Sequence, residues 1–241
     1  MLKTEIAGIG SVSGDDIYDN GGAGNHAKRR VASEDRFGLL LLVLICAYVL
    51  SAFTTGRGTD AAQLVLYGGT AILSLRTSSV PKRHLKLIAA ALIVGSGVMV
   101  AISLTSQTGR GIADAWIAVT LLFVIVVIVR SVLSKETVTI QSIYGAFSAY
   151  MIVGLMFASV FAAIDHLGAA HFFADHEAAN TETFQYFSFT TLTTLGYGDF
   201  TAVGSPGRAI AVLEALTGQV FLATLVARLV AGFRPRREPA Q

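Results

Sequence analysis

Long runs of apolar residues that contain no charge recur along the chain and determine its architecture. Five runs have this character, and a sixth differs from them only by a single charge; in chain order the six cover residues 37–55, 61–75, 87–109, 115–129, 137–164 and 209–227. The second and fourth are only 15 residues long and need flanking residues to cross about 30 Å of hydrocarbon, and the sixth contains one carboxylate, Glu214. The pattern predicts an all-α membrane protein with six transmembrane helices.

A shorter apolar stretch, residues 183–195, lies between the last two of these runs. It is too short to cross a bilayer as a helix, because a span needs about 20 residues. We therefore expect it to enter and leave the membrane on the same side, as a re-entrant segment.

Composition and charge distribution agree with this layout. The chain is 53% apolar and only 14% charged, which excludes a disordered chain. If the N-terminus is cytoplasmic, all but three of the 18 basic residues fall on the cytoplasmic side, the exceptions being Arg57, Arg110 and Arg208. We expect a multi-pass protein of the plasma membrane with both termini cytoplasmic. The net charge of +2 gives no reason to expect a nucleic-acid partner.

One motif carries chemistry. Residues 191–199 read TLTTLGYGD and resemble the signature of potassium channels, TMTTVGYGD, at seven of nine positions. Leu192 stands in place of Met, and Leu195 in place of Val. The resemblance extends over about residues 140–231 and implies an outer helix, a pore helix, a selectivity filter and an inner helix.

Such a filter works because backbone carbonyl oxygens replace the water shell of a dehydrated cation. A strand that presents successive carbonyls to the ion needs left-handed residues at alternate positions, which glycine adopts at low cost. The resemblance implies that the carbonyls of Thr194, Leu195, Gly196 and Tyr197 bind K⁺, the permeant ion. It places Gly198 at the end of the filter, points the side chain of Tyr197 outward, and puts Asp199 at the pore mouth. No cofactor is expected.

The residues before the motif fit a short pore helix. Asn180 or Thr181 is suited to cap its start, and Glu182 stands in the first turn, where a negative charge is favourable. The helix is expected to end near Thr191. Related channels often carry two tryptophans in the middle of this helix, where this chain has Tyr186 and Phe187.

The last span contains the candidate cavity and gating residues Glu214, Gly218, Gln219, Leu222 and Val226. The last three share a helical face and are expected to line the cavity. Glu214 lies about 140° away from that face, so it should face the pore helix, hydrogen-bonded or protonated behind the filter. Gly218 is either a point of bending or a point of close helix packing.

One filter strand supplies a quarter of each carbonyl ring, and the chain contains one such signature, so a homotetramer in contact with membrane lipids is expected. The expected parts are a flexible cytoplasmic tail (1–36), a four-helix membrane domain (37–133), a pore domain (134–231) and a short basic tail (232–241). No soluble regulatory domain is expected in this chain. The sequence leaves open whether the four-helix domain packs on its own pore domain or on a neighbour's.

The layout resembles voltage-gated channels without their regularly spaced arginines, because residues 112–129 contain none and Arg130 is an isolated inner anchor. We therefore expect weak or no conventional voltage gating. The outer loop contains His166, His171 and His176, which form either a proton sensor or, as favoured here, a solvated turret.

A poorly selective cation channel and, less favoured, a potassium transporter subunit are the alternatives. An enzyme is not expected, since only Glu214 comes close to a catalytic group in the apolar spans.

Overall fold

The computed structural model describes residues 36–53, 67–70, 82–133, 139–174 and 179–232. The predicted tails lie outside these ranges except at their innermost residues, as does most of the second predicted span. Residues 67–70 are helical. The other helices within the described ranges are α1 (Arg36–Phe53), α2 (Lys82–Ser103), α3 (Gln107–Leu133), α4 (Ile140–Leu167), α5 (Thr181–Leu192) and α6 (Ser205–Gly232).

Among the described residues, three helices are long and apolar enough to cross a membrane. They are α3, α4 and the Ser205–Arg228 part of α6. Two apolar segments, Phe37–Val49 and Ala90–Ser103, are shorter. The described residues are therefore helical apart from short connecting segments, as expected of an all-α membrane protein, while the count of six spans remains a prediction.

The predicted span 87–109 is wrong at its C-terminal end. Helix α2 stops at Ser103, and α3 begins at Gln107. The side chain of Ser106 accepts a 3.0 Å hydrogen bond from the N–H of Gly109, which satisfies one of the free donors at the start of α3. As a result Arg110, expected in the outer loop, lies in the first turns of α3.

The main apolar core joins α1, α3 and α4 of the same chain. Its fully buried members include Leu40 and Leu44 from α1, Leu121 from α3, and Ile152 and Leu155 from α4. Helix α3 packs along α4 over most of its length. Helices α1 and α3 therefore pack on α4 of the same chain.

A second core surrounds the C-terminal end of α4 and consists largely of aromatic rings. Its most buried rings are Phe161, Phe172, Phe173, Phe184 and Phe187. The loop after α4 takes part, because the N–H of Val203 donates to the carbonyl of Phe172 at 2.9 Å. A backbone hydrogen bond thus joins this loop to the segment that precedes α6.

The expectation of a solvated turret is wrong for its first histidine. His166 lies in the last turn of α4, where its Nδ1 is 2.6 Å from Oδ2 of Asp114 on α3. Asp165 accepts a 2.8 Å hydrogen bond from the N–H of Phe172. His171 is exposed, as expected, and His176 lies outside the described residues.

Candidate functional site: the pore helix and the strand after it

Helix α5 starts where its sequence allows a cap. The side chain of Asn180 accepts hydrogen bonds from the N–H of Thr183 at 2.8 Å and from the hydroxyl of Thr183 at 2.9 Å. Glu182 stands in the first turn, near the positive end of the helix dipole. The helix ends at Leu192, one residue beyond the expected end.

The chain then reverses along the C-terminal end of α5. The N–H groups of Leu195 and Gly196 donate to the carbonyl of Thr190 at 2.8 and 3.1 Å, and that of Thr194 donates to Thr191 at 2.9 Å. These bonds satisfy the N–H groups of residues 194–196 from one side. Residues 194–199 are called the strand below, although they pair with no other described segment. No described residue donates to the carbonyl oxygens of residues 194–197.

Backbone handedness alternates along this strand. The φ angle is 58° at Thr194, 50° at Gly196 and 80° at Gly198, while the residues between them do not have positive φ. Glycine adopts this conformation at little cost, but a β-branched residue is strained there. The Thr194 hydroxyl donates a 2.7 Å hydrogen bond to the carbonyl of Thr193, which helps to hold the conformation. Sequence reasoning expected left-handed backbone at both glycines and missed it at Thr194.

One side of the strand is exposed. Leu195 is 56% exposed and Tyr197 is 65% exposed. A Cβ atom added at Gly196 or Gly198 would meet nothing within 4 Å. The arrangement leaves a row of carbonyl groups available to a ligand outside this chain.

The C-terminal end of the strand contacts α5 through two tyrosines. The rings of Tyr197 and Tyr186 stack with centroids 6.3 Å apart and planes within 6°. The Tyr186 hydroxyl donates a 2.7 Å hydrogen bond to Oδ2 of Asp199, and this bond, with partial burial and the Asp199 charge, raises the pKa of Tyr186 to about 12. Tyr186 thus connects α5 to Asp199, the residue expected at the pore mouth, whereas Phe187 belongs to the aromatic core.

The opposite side of α5 meets α4 and α6 at very short range. A Cβ atom on Gly154 of α4 would lie 2.6 Å from the ring of Phe189. A Cβ atom on Gly218 of α6 would lie 2.2 Å from the carbonyl oxygen of Leu192. Gly218 is therefore a site of close packing against the end of α5.

Glu214 lies one helical turn before Gly218 and is fully buried. Its Oε1 is 2.5 Å from the hydroxyl oxygen of Ser188 on α5, in agreement with the direction expected from helical spacing. The same hydroxyl is 2.6 Å from the carbonyl oxygen of Gly154. Ser188 thereby connects three helices.

Two side chains of the membrane domain also contact α5. Gln185 donates a 3.0 Å hydrogen bond from Nε2 to the hydroxyl of Tyr67, a residue of the second predicted span. The rings of Tyr48 on α1 and Phe189 meet edge to face with centroids 5.1 Å apart. Sequence reasoning missed both contacts, although a glutamine in an otherwise apolar helix face requires a polar partner when buried.

The remaining predicted cavity residues lie on the open side of α6. Nε2 of Gln219 donates a 3.3 Å hydrogen bond to the Thr194 hydroxyl, which places this carboxamide at the inner end of the strand. Leu222 is half-buried, and Val226 is 57% exposed.

Comparison with known proteins agrees with this geometry. A family model described as an ion channel matches residues 150–234, which include most of α4, all of α5, the strand and α6. No curated protein and no solved structure matches the chain. The match and the long apolar helices support a membrane protein whose C-terminal part is an ion channel domain that conducts ions passively.

Proposed function

We propose that four copies of this chain form a potassium-selective channel that conducts K⁺ passively across the plasma membrane. The carbonyl oxygens of Thr194, Leu195, Gly196 and Tyr197 bind the dehydrated ion, with Gly198 and Asp199 at the outer end. The alternating handedness of residues 194–198 carries this proposal, because it turns successive carbonyls to one side of the strand at the end of a capped helix.

Exposure of apolar surface supports the tetramer. In the apolar windows of the two long helices of the pore domain, 61% of α4 is buried within the chain but only 11% of α6. Side chains such as Val212, Leu216 and Val220 are about three-fifths exposed on α6. Neighbouring copies would cover part of this surface and complete each ring of carbonyl oxygens around the axis.

The proposed topology has six spans, both termini in the cytoplasm, and lipid around a membrane domain of residues 37–133 and a pore domain of residues 134–231. Conventional voltage gating is weak or missing in this proposal. The arginines of α3 are Arg110 and Arg130, one near each end, so no series of charges crosses the field.

The second candidate is a poorly selective cation channel. It is favoured by Leu195, because the signature of potassium channels has Val at this position and the two side chains differ in shape behind the filter. A transporter subunit is less favoured because the chain has one filter signature. The matched family is one of channels, and an enzymatic role is not proposed.

The test is the reversal potential of purified protein in planar bilayers with K⁺ on one side and Na⁺ on the other. We expect a value near the K⁺ equilibrium potential, and we expect Gly196→Ala to abolish the current because φ is +50° there. Gly97→Ala is the matched control, since a Cβ there meets nothing within 4 Å and needs no unusual φ. A current that reverses near zero would favour the poorly selective channel.

A further inference from the structure

Glu214 is a carboxyl group placed where a charge is very costly. It lies within α6, is 0% exposed, and forms no ion pair with a described cationic side chain. Its Oε2 has no hydrogen-bond partner among the residues that the structure describes. An ionised carboxylate normally accepts several hydrogen bonds when it is buried, so this environment suits the neutral acid.

The number of protons available at Ser188 also indicates that Glu214 is a neutral acid. The hydroxyl has a single proton and lies 2.6 Å from the carbonyl oxygen of Gly154, which can only accept. If Ser188 donates its proton there, the 2.5 Å contact between Ser188 Oγ and Glu214 Oε1 must carry a proton from Glu214. If Glu214 were ionised and took the Ser188 proton, two acceptor oxygens would face each other at 2.6 Å with no proton between them.

The neighbouring titratable group does not change this count. Tyr150 of α4 lies on the same side of α5, and its hydroxyl donates to the carbonyl oxygen of Leu192 at 3.3 Å. The relay therefore runs from the acid proton of Glu214 to Ser188, and from the Ser188 hydroxyl to Gly154.

We propose that Glu214 acts as a neutral acid that fastens α6 and α4 to the pore helix through Ser188, and that it is a positioning residue for the filter. This inference rests on the proposed function, because its functional readout is conduction through the filter. Ser188 lies six positions before Thr194, on the helix whose last carbonyls hold the strand. Movement of α5 relative to α6 would therefore displace the carbonyl row.

The first experiment is infrared difference spectroscopy between the native protein and Glu214→Gln, both in membranes at neutral pH. We expect the carbonyl stretch of a protonated, hydrogen-bonded carboxylic acid in the native protein only. Ser188→Ala should shift that band, because it removes the group that accepts the acid proton. Ser159→Ala should leave it unchanged, since that buried hydroxyl bonds only the carbonyl of Leu155 in its own helix.

The second experiment measures open probability in symmetric K⁺. Glu214→Gln should retain it, because an amide N–H can donate to Ser188, whereas Glu214→Leu and Ser188→Ala should lower it by about tenfold, the scale of a lost buried hydrogen bond. Thr217→Val is the control on α6, where the hydroxyl bonds Leu213 of the same helix.

A carboxylate band in place of the acid band, or an acid band whose position does not change in Ser188→Ala, would overturn the relay. An intact acid band together with native conduction in Glu214→Leu would overturn the positioning role. If the native protein carries no selective K⁺ current, the proposed function fails, and the infrared result still decides the state of Glu214.

Discussion

The hydroxyl of Tyr186 donates a 2.7 Å hydrogen bond to Oδ2 of Asp199, and it thereby connects α5 to the C-terminal end of the proposed filter. Tyr186→Phe keeps the ring that stacks on Tyr197 and removes only this bond. We expect the K⁺ current of the variant to decay several-fold faster during sustained activity, because the end of the strand loses its tether. Tyr144→Phe, a change on α4 far along the chain from the filter, is the control.

The pH dependence of this effect follows from the Tyr186 phenol. Its pKa is raised from 10.0 to about 12, chiefly by the hydrogen bond to Asp199. A raised pKa means that the bond contributes below pH 10 and is lost as the pH rises through about 12. The native protein and Tyr186→Phe should therefore differ in the rate of current decay by a constant factor from about pH 7 to 10 on the outer side. A difference that vanishes within that range would contradict the assignment.

By resemblance, the Thr194 hydroxyl forms the innermost ion site of the proposed filter, and Gln219 should weaken that site. The Thr194 hydroxyl already gives its proton to Thr193, and Gln219 points an N–H group at its oxygen from 3.3 Å. The positive end of that dipole opposes a cation. We expect Gln219→Leu to strengthen block by internal Ba²⁺, a divalent ion of about the size of K⁺, by roughly three- to tenfold, the worth of one modest polar interaction. Val226→Ala, lower on the open side of α6, should leave Ba²⁺ affinity unchanged, and weaker block in Gln219→Leu would refute the prediction.

Much of the pore region was predictable because short-range rules govern it. Asn180 caps α5 through its own side chain, and helical spacing alone turns Glu214 toward that helix. The left-handed backbone at Thr194 was not predictable from propensity, since a β-branched residue adopts it only when surrounding contacts impose it. The pairs Gln185–Tyr67 and His166–Asp114 join residues that are 118 and 52 positions apart. A local sequence pattern therefore does not predict these contacts.

Arg228 connects the C-terminal end of α6 to the C-terminal end of α3. Its Nη2 donates a 2.7 Å hydrogen bond to the carbonyl oxygen of Val132, in the last turn of α3, where carbonyls have no partner within the helix. We expect Arg228→Ala to lower the free energy of unfolding by about 1–3 kcal/mol, which should appear as a lower midpoint of thermal unfolding in detergent. Arg130→Ala, at an exposed position of α3, should change the free energy of unfolding by less than about 0.5 kcal/mol. Equal effects of the two substitutions would show that the Val132 contact contributes nothing specific.

His166 and Asp114 join the outer ends of α4 and α3, with side chains 18% and 21% exposed and a 2.6 Å contact. The contact is an ion pair only when the imidazole carries a proton, and histidine ordinarily gains it between about pH 5 and 8. A double-mutant cycle of His166→Asn and Asp114→Asn on thermal stability should therefore give a coupling energy of about 1 kcal/mol near pH 5.5 that falls toward pH 8. His171→Ala, at the exposed histidine of the following loop, should leave this coupling unchanged. A coupling that is constant over this range would mean that a neutral hydrogen bond holds the two helices together, and that the outer histidines do not make stability depend on pH.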